Sequence, residues 1–346
     1  MKKRIVCITL ALCFYLCLFS SCAPKKNQYS AYEMNYFDTV ITVIGYEETR
    51  EEFDAVAQGI MAQFAEYHKL YSIYHRFEGL ENLCTVNDLT DGAHRTVTVD
   101  ERIIDMLLYA KEMYTATEGI VNVAMGSVLS LWHNYREIGM DNPAEAALPP
   151  MERLKEAAVH TDIDALVIDA NNRTVTLTDP KMKLDVGAIA KGYATERVAR
   201  SLEEQGITGY LLNVGGNIRA IGTKPDGTPW GVGIEDPLGG DYLARLSVSG
   251  KSVVTSGSYQ RFYYVDGKPY HHIIHPDTLM PSEGYVSVSV ICDDSGFGDA
   301  MSTALFCLSA EEGLALVESI QGLEAMWVTE DGTKTVSSGW NAYVKG

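Results

Sequence analysis

The sequence predicts an α+β fold with mainly antiparallel sheet, on three observations. Segments with helical and strand periodicity occur in mixed order, without strict strand–helix alternation. The second half carries a series of short strand-like runs broken by glycine-containing turns. Behind an N-terminal export segment, roughly 300 residues remain for one large domain or two small ones.

That export segment comes first. Lys2, Lys3 and Arg4 precede an apolar run from Ile5 to Phe19 that closes on Ser20, Ser21 and Cys22. The run is short for a membrane span and has the layout of a secretory signal, and a small pair before a cysteine suits a lipoprotein signal peptidase. We therefore expect residues 1–21 to be removed and Cys22 to be lipidated, with residues 22–31 forming a polar tether and 32–346 the functional domain. Phe19 stands where Leu, Val or Ile is usual before such a cysteine, so an uncleaved signal anchor is the alternative. Either reading sets the body on the extracytoplasmic face of the cell membrane.

Of seven cysteines, Cys84, Cys292 and Cys307 remain beyond Cys22. An odd, widely spaced set is no disulfide framework, and none has CxxC spacing. Removing the three leader cations takes the formal charge from −18 to −21, which argues against nucleic acid and anionic lipid headgroups as partners of the body. It favours cations and cofactors that bring a metal.

Within the body, a strand over Val40–Tyr46 precedes a helix over Glu51–Tyr71, where Phe53, Val56, Ile60, Phe64 and Tyr71 recur at helical spacing. A second helix covers Glu101–Ala116, with Asp100 as N-cap and Ile104, Leu107, Leu108 and Tyr114 on one face. Asp141–His160 reads as an irregular insertion with a short helix, followed by strands at Ala165–Asp169 and Thr174–Leu177 around an Asn171–Asn172 turn. A helix over Ala194–Leu202 leads to strands at Tyr210–Asn213, Ala244–Val248, Ser252–Ser256, Arg261–Val265 and Val286–Ile291. Helices over Phe297–Leu308 and Glu311–Ile320 and a hairpin of Ala325–Thr329 with Thr333–Ser337 close the chain.

Four segments carry candidate chemistry. In Asp185-Val-Gly-Ala-Ile-Ala-Lys-Gly-Tyr193, small residues lead from a strand end into a helix whose first turn holds Lys191. A helix N-terminus with a cation suits an anion such as phosphate, although a plain glycine turn with a solvent lysine has the same pattern. Asn213-Val-Gly-Gly-Asn217 is a second place where backbone passes close to a neighbour, or simply a bulge. His271-His272-Ile-Ile-His275-Pro276 offers three imidazoles. A zinc site is rejected because 272 and 275 would face opposite sides of a strand, no carboxylates stand nearby, and Pro276 enforces a turn; one histidine acting as base or hydrogen-bond donor fits better. Asp299 and Thr303, four apart on a helix, put two oxygens on one face as a hard-cation pair. An N-cap at Asp299 with an ordinary internal threonine is the other reading.

Taken together and in this order, these segments resemble the ApbE family of FAD:protein FMN transferases. Phe37-Asp-Thr39, Tyr71-Ser-Ile-Tyr74, Leu83–Asn87, Gly119-Ile-Val-Asn-Val, Leu131-Trp132, Trp230–Pro237, Thr255-Ser-Gly257, His272–Pro281 and the Asp-Ala-x-x-Thr pattern at Asp299–Thr303 also match. The resemblance implies an α+β body with a flavin cleft, in which the Ala188 carbonyl, Asp299 and Thr303 hold magnesium, or manganese. It implies FAD contacts from Tyr74, Ile120, Val121, Asn122, Asp185, Lys191 and Ile274, and a role for His272 in transfer. By the same resemblance the acceptor would be an exported or membrane flavoprotein modified at a threonine. Asn122, Ser258, His275 and Leu279 depart from the family's usual Asp, Asp, Asp and Gly. A magnesium-dependent FAD pyrophosphatase yielding FMN and AMP would share every motif, and a non-catalytic flavin-binding surface lipoprotein is a rival of another class.

Overall fold

The computed structural model describes residues 25–88 and 96–345, so Cys22 and the export segment lie outside the described residues. The chain opens with an antiparallel hairpin of β1 (Asn27–Tyr36) and β2 (Thr39–Glu47). Asn27 to Ala31, expected to be tether, are therefore strand: they pair with Glu47 through Val43, and Tyr29 and Ala31 pack on the core. Only alternate residues of an edge strand face inward, so its polar composition concealed it.

Helix α1 (Arg50–Tyr71) starts at a capping box in which Thr49 and Glu52 exchange hydrogen bonds, and it buries Phe53, Ile60, Phe64 and Tyr71. Next come α2 (Leu83–Asn87), β3 (Thr96–Thr98) and α3 (Glu101–Ala116), the last capped by Asp100, which accepts from the Arg102 amide. The buried face of α3 is Ile103, Ile104, Met106, Leu107, Ala110 and Met113, whereas Leu108 is exposed and Tyr114 half-buried. α4 (Gly126–Asp141) was not expected from the sequence, and α5 (Met151–Ala158) is the short helix of the insertion.

Strands β4 (Leu166–Asp169) and β5 (Thr174–Leu177) join β3 in a small sheet, and α6 (Ala190–Glu204) begins four residues before its expected start. Then follow β6 (Tyr210–Val214), β7 (Asn217–Ile221), β8 (Trp230–Glu235), β9 (Tyr242–Val248), β10 (Ser252–Gly257), β11 (Phe262–Val265), β12 (Lys268–His271) and β13 (Ser287–Cys292). The chain ends with α7 (Ser295–Cys307), α8 (Ala310–Ser319), β14 (Glu324–Val328) and β15 (Lys334–Val336).

The centre is an eight-stranded antiparallel sheet in the order β1-β2-β6-β7-β10-β13-β14-β15. Period-two alternation sends successive side chains to opposite faces. Leu212, Val254, Val290 and Trp327 pack on the helical side with α1, α6 and α7, whereas Leu211, Val253, Ile291 and Met326 pack against the β8–β9 hairpin through Trp230, Val232 and Leu246. Each such fully buried side chain contributes about 1.5–3 kcal/mol relative to exposure. A smaller cluster of Trp132, Leu154, Tyr263, Ile274 and Leu279 joins α4, α5 and the β11–β12 hairpin into a flank beside the sheet. No helix of the described residues is long and apolar enough to cross a membrane.

One buried ion pair links the elements that carry the site. Arg219 of β7 donates through Nε to Glu196 of α6 at 3.0 Å, and the same carboxylate accepts the Ser295 amide at the start of α7 at 2.9 Å. Both side chains are about 95% buried, so removing Glu196 leaves the Arg219 guanidinium with the Glu203 carboxylate, 3.0 Å from its Nη2, and takes the acceptor from the Ser295 amide. Glu196→Ala is expected to lower unfolding free energy by about 3–5 kcal/mol in urea titration; a loss under 1 kcal/mol would contradict this role.

Candidate active site

The Asp185–Tyr193 segment is fastened from both sides. Asn87 grips the Leu184 backbone twice, its Nδ2 donating to the carbonyl at 2.8 Å and its Oδ1 accepting from the amide at 2.7 Å. The Asp185 amide donates to the Val123 carbonyl at 2.8 Å and the Gly126 amide to that of Lys183 at 3.0 Å. Asp185 turns the chain by accepting the Gly187 amide at 2.8 Å; burial holds its carboxyl above the ordinary range, and the Gly187 N–H partly offsets that.

α6 then starts with no side-chain cap at its N-cap position, because the Ile189 side chain has no oxygen to offer. Asp299 supplies it from α7: its Oδ2 accepts the Gly192 amide at 2.8 Å, while its Oδ1 lies 3.6 Å from the Lys191 ammonium. The helices meet closely at Gly192, where an added Cβ would stand 2.3 Å from the Ser295 carbonyl and 2.5 Å from Asp299 Cβ. α7 itself is capped by Asp294, which accepts the Phe297 amide at 2.9 Å, so Asp299 lies one turn inside and is not an N-cap. Ser302 donates to the Asp299 carbonyl at 3.1 Å and meets Ser256 at 2.8 Å, tying this turn to β10.

Two tight turns complete that wall. Gly215 and Gly216 connect β6 to β7 with φ of 57° and 94°, and a Cβ on Gly215 would stand 2.2 Å from Thr39 Oγ1. Thr39 follows the β1–β2 turn, in which Phe37 and Asp38 also adopt left-handed φ of 56° and 49°. The Phe37 amide is held by His68 Nδ1 at 3.2 Å.

Opposite, Thr117 orders the stretch Ile120–Asn122 by accepting the Val121 amide at 3.0 Å. Asn122 spends its carboxamide on backbone, accepting from Ala124 at 2.9 Å and donating to Thr161 at 2.8 Å. The second bond requires an amide nitrogen, which accounts for Asn where the family usually has Asp. Tyr74 is half exposed with its ring 5.0 Å from that of His133, and Ile274 is buried.

The three histidines separate by role. Residues 272–275 leave β12 and form no strand of their own, which corrects the strand assumed for them. His271 Nε2 is bound to the Ser282 carbonyl at 2.7 Å, and His275 Nδ1 accepts the Asp277 amide at 3.1 Å, as an aspartate would in a turn. His272 Nδ1 faces the Arg261 carbonyl at 3.3 Å; a carbonyl only accepts, so the proton sits on Nδ1 and Nε2 is the bare nitrogen. Burial in the cleft wall, and then the Arg261 cation, push its pKa down to about 3.

Tyr74, Ile120, Val121, Asn122, Asp185, Ala188, Lys191, His272, Ile274, Asp299 and Thr303 all line one cleft enclosing about 330 Å³, between the main sheet and the α4 flank. Asp38 and Asn217, from two of the segments quoted above, line it too, as do Arg136 and Arg261, which had no candidate role in the sequence. Lone arginines carry no motif, and Arg136 lies on the unexpected helix. Ser258 faces a separate groove, and Leu279 adopts φ of 58°, which explains the family's Gly there; its side chain is buried beside Trp132, whose Nε1 donates to the Leu279 carbonyl at 2.9 Å.

A sequence model of the ApbE family matches residues 37–327. The chain belongs to the ApbE family. It is 36% identical over 259 residues to an FAD:protein FMN transferase of Treponema pallidum, covering 70% of each chain. It is 32% identical over 289 residues to one of Klebsiella pneumoniae, covering 78% of this chain and 87% of that one. The ApbE protein of Thermotoga maritima superposes with a TM-score of 0.80 at 27% identity, over 92% of this chain and all of the other. The Vibrio cholerae flavin transferase ApbE, at 24% identity and a TM-score of 0.75, shares the fold over 92% of this chain and 99% of its own. The α+β architecture expected from the sequence is thus the ApbE fold.

The Gly192 contact yields a direct expectation. Gly192→Ala forces α6 and α7 apart and should cost about 1–3 kcal/mol of stability. A variant whose melting temperature is unchanged would show that the two helices do not meet at Gly192.

Proposed function

We propose that this chain moves the FMN half of FAD onto a threonine hydroxyl of an acceptor protein and releases AMP. The observation that carries this reading is the convergence, in one cleft, of an α6 N-terminus bearing Lys191, the Asp299 carboxylate and a neutral imidazole at His272. Helix amides and an ammonium suit a diphosphate. Tyr74, Ile120, Val121, Asn122, Asp185 and Ile274 form the remaining walls for the dinucleotide.

The donors Asp299, Thr303 and the Ala188 carbonyl are hard oxygens, the set magnesium takes jointly with phosphate. The Lys191 ammonium beside Asp299 Oδ1 supports the fit, since that position already favours positive charge. Magnesium bound there supplies Lewis-acid stabilisation of charge on the phosphoryl oxygens. His272 Nε2 takes the proton as the threonine oxygen bonds to the FMN phosphorus, and the bond to the AMP oxygen breaks with its electron pair leaving on AMP. Lys191 offsets phosphate charge during the displacement. Water in the threonine's place would give FMN and AMP.

Lipidation at Cys22 and an acceptor among exported or membrane flavoproteins complete the proposal, supported by the leader pattern. A Cys22→Ser chain should stay in the aqueous phase of a detergent partition; retention in the detergent phase would point to an uncleaved anchor.

Incubating the leaderless chain with FAD, magnesium and an extracellular flavoprotein domain should give a covalent FMN adduct on threonine by mass spectrometry, at least 100-fold slower in Asp299→Ala. AMP and free FMN without adduct would indicate hydrolysis, and neither product would leave a flavin-binding protein. The depressed His272 pKa adds a pH signature. The imidazole is neutral well below the ordinary 6.5, so the His272-dependent fall in kcat/KM should begin only below about pH 5. A limb near 6.5 that disappears in His272→Asn would contradict it.

A further inference from the structure

Six buried side-chain nitrogen or oxygen atoms lack a hydrogen-bond partner among the described residues, and of these only Asn217 Nδ2 belongs to a residue lining the cleft. Asn217 is 1% exposed and opens β7 directly after the Gly215-Gly216 turn. Its backbone is held between β6 and β10, opposite Val214 and Val254. Its Nδ2 lies 3.0 Å from where a Cβ on Gly192 would stand, against the α6 turn that carries Lys191 and binds Asp299. A buried amide donor left unpaired costs about 1–3 kcal/mol, and a leucine or valine at this position would avoid that cost. Such a group persists where something else completes its hydrogen bond.

We propose that the Asn217 carboxamide is a phosphate-binding donor, its Nδ2 completing the anion seat of the α6 N-terminus by hydrogen bonding a phosphoryl oxygen of the dinucleotide's diphosphate. This rests on the flavin-transferase reading of the same cleft. The strand geometry suits the role: β6 and β10 clamp β7 from both sides, so the donor is preorganised and loses little freedom on binding. The occupant it selects carries acceptor oxygens, because no donor or apolar group would pair with N–H.

The test is equilibrium binding of FAD, inorganic pyrophosphate and riboflavin to the leaderless wild type, Asn217→Ala and Asn217→Asp, in magnesium, with thermal melts of each. Loss of a hydrogen bond to a charged acceptor should weaken FAD and pyrophosphate about tenfold or more in Asn217→Ala and leave riboflavin, which has no phosphate, unchanged. Asn217→Asp should bind both phosphates at least as poorly, since a carboxylate repels them. Wild-type phosphate affinity in Asn217→Ala, with or without a lowered melting temperature, would overturn the inference and leave a structural or water-filled amide. Tighter, more magnesium-dependent binding in Asn217→Asp would also overturn it, assigning the oxygen to the cation. A wild type that binds FAD but transfers nothing would sink the transferase reading while the phosphate contact stands; a wild type that binds neither FAD nor pyrophosphate would sink both.

Discussion

The Asp299 carboxylate, set between the Gly192 amide and the Lys191 ammonium, is the contact on which the cleft depends. A helix start leaves unpaired amides; the Val186 carbonyl takes those of Ile189 and Ala190, and no N-cap side chain is there for the rest. α7 supplies an acceptor for the Gly192 amide through a residue buried to 96%, and its second oxygen lies 3.6 Å from the Lys191 ammonium. One carboxylate therefore holds a helix pair together and pairs with the Lys191 ammonium at the cleft wall. Glycine at 192 is what permits it, because any Cβ would fill the space across which the two helices touch.

Behind that contact stands the Arg219–Glu196 pair, which joins β7, α6 and the first amide of α7. The sheet carries Asn217 and Arg219 on one strand, so the same β7 that anchors the ion pair also contributes a residue to the cleft wall. Tilting α6 against α7 would disturb Glu196, Gly192 and Asp299 together. The low-dielectric setting makes these polar contacts strong when complete and costly when broken.

The departures from the family pattern fall into place as backbone chemistry. Asn122 donates to Thr161, His275 accepts from Asp277, Leu279 trades an unfavourable φ for burial beside Trp132, and Ser258 faces away from the cleft. Charge shows the same economy. Within a strongly acidic chain, Lys191, Arg136 and Arg261 gather at the one cleft that also holds Asp38, Asp185 and Asp299, so charges of both signs face each other there.

Local sequence alone determined the α+β class and the ends of most elements, because amphipathic period, capping residues and glycine turns act over a few residues: Asp100 caps its helix as expected, and Tyr210–Asn213 and Ser252–Ser256 are strands. It also marked Asp185–Tyr193, His272 and Asp299–Thr303, where small or oxygen-bearing residues recur at meaningful spacing. Tertiary structure decided what these residues do. Asp299 is a cap for a helix 107 positions away in sequence, not for its own. His272 has a lowered pKa only because the cleft wall and Arg261 surround it, and Arg136, Arg261 and Asn217 come together only where distant strands and helices meet. Burial and long-range pairing set those properties, and neither is written in any short window of sequence.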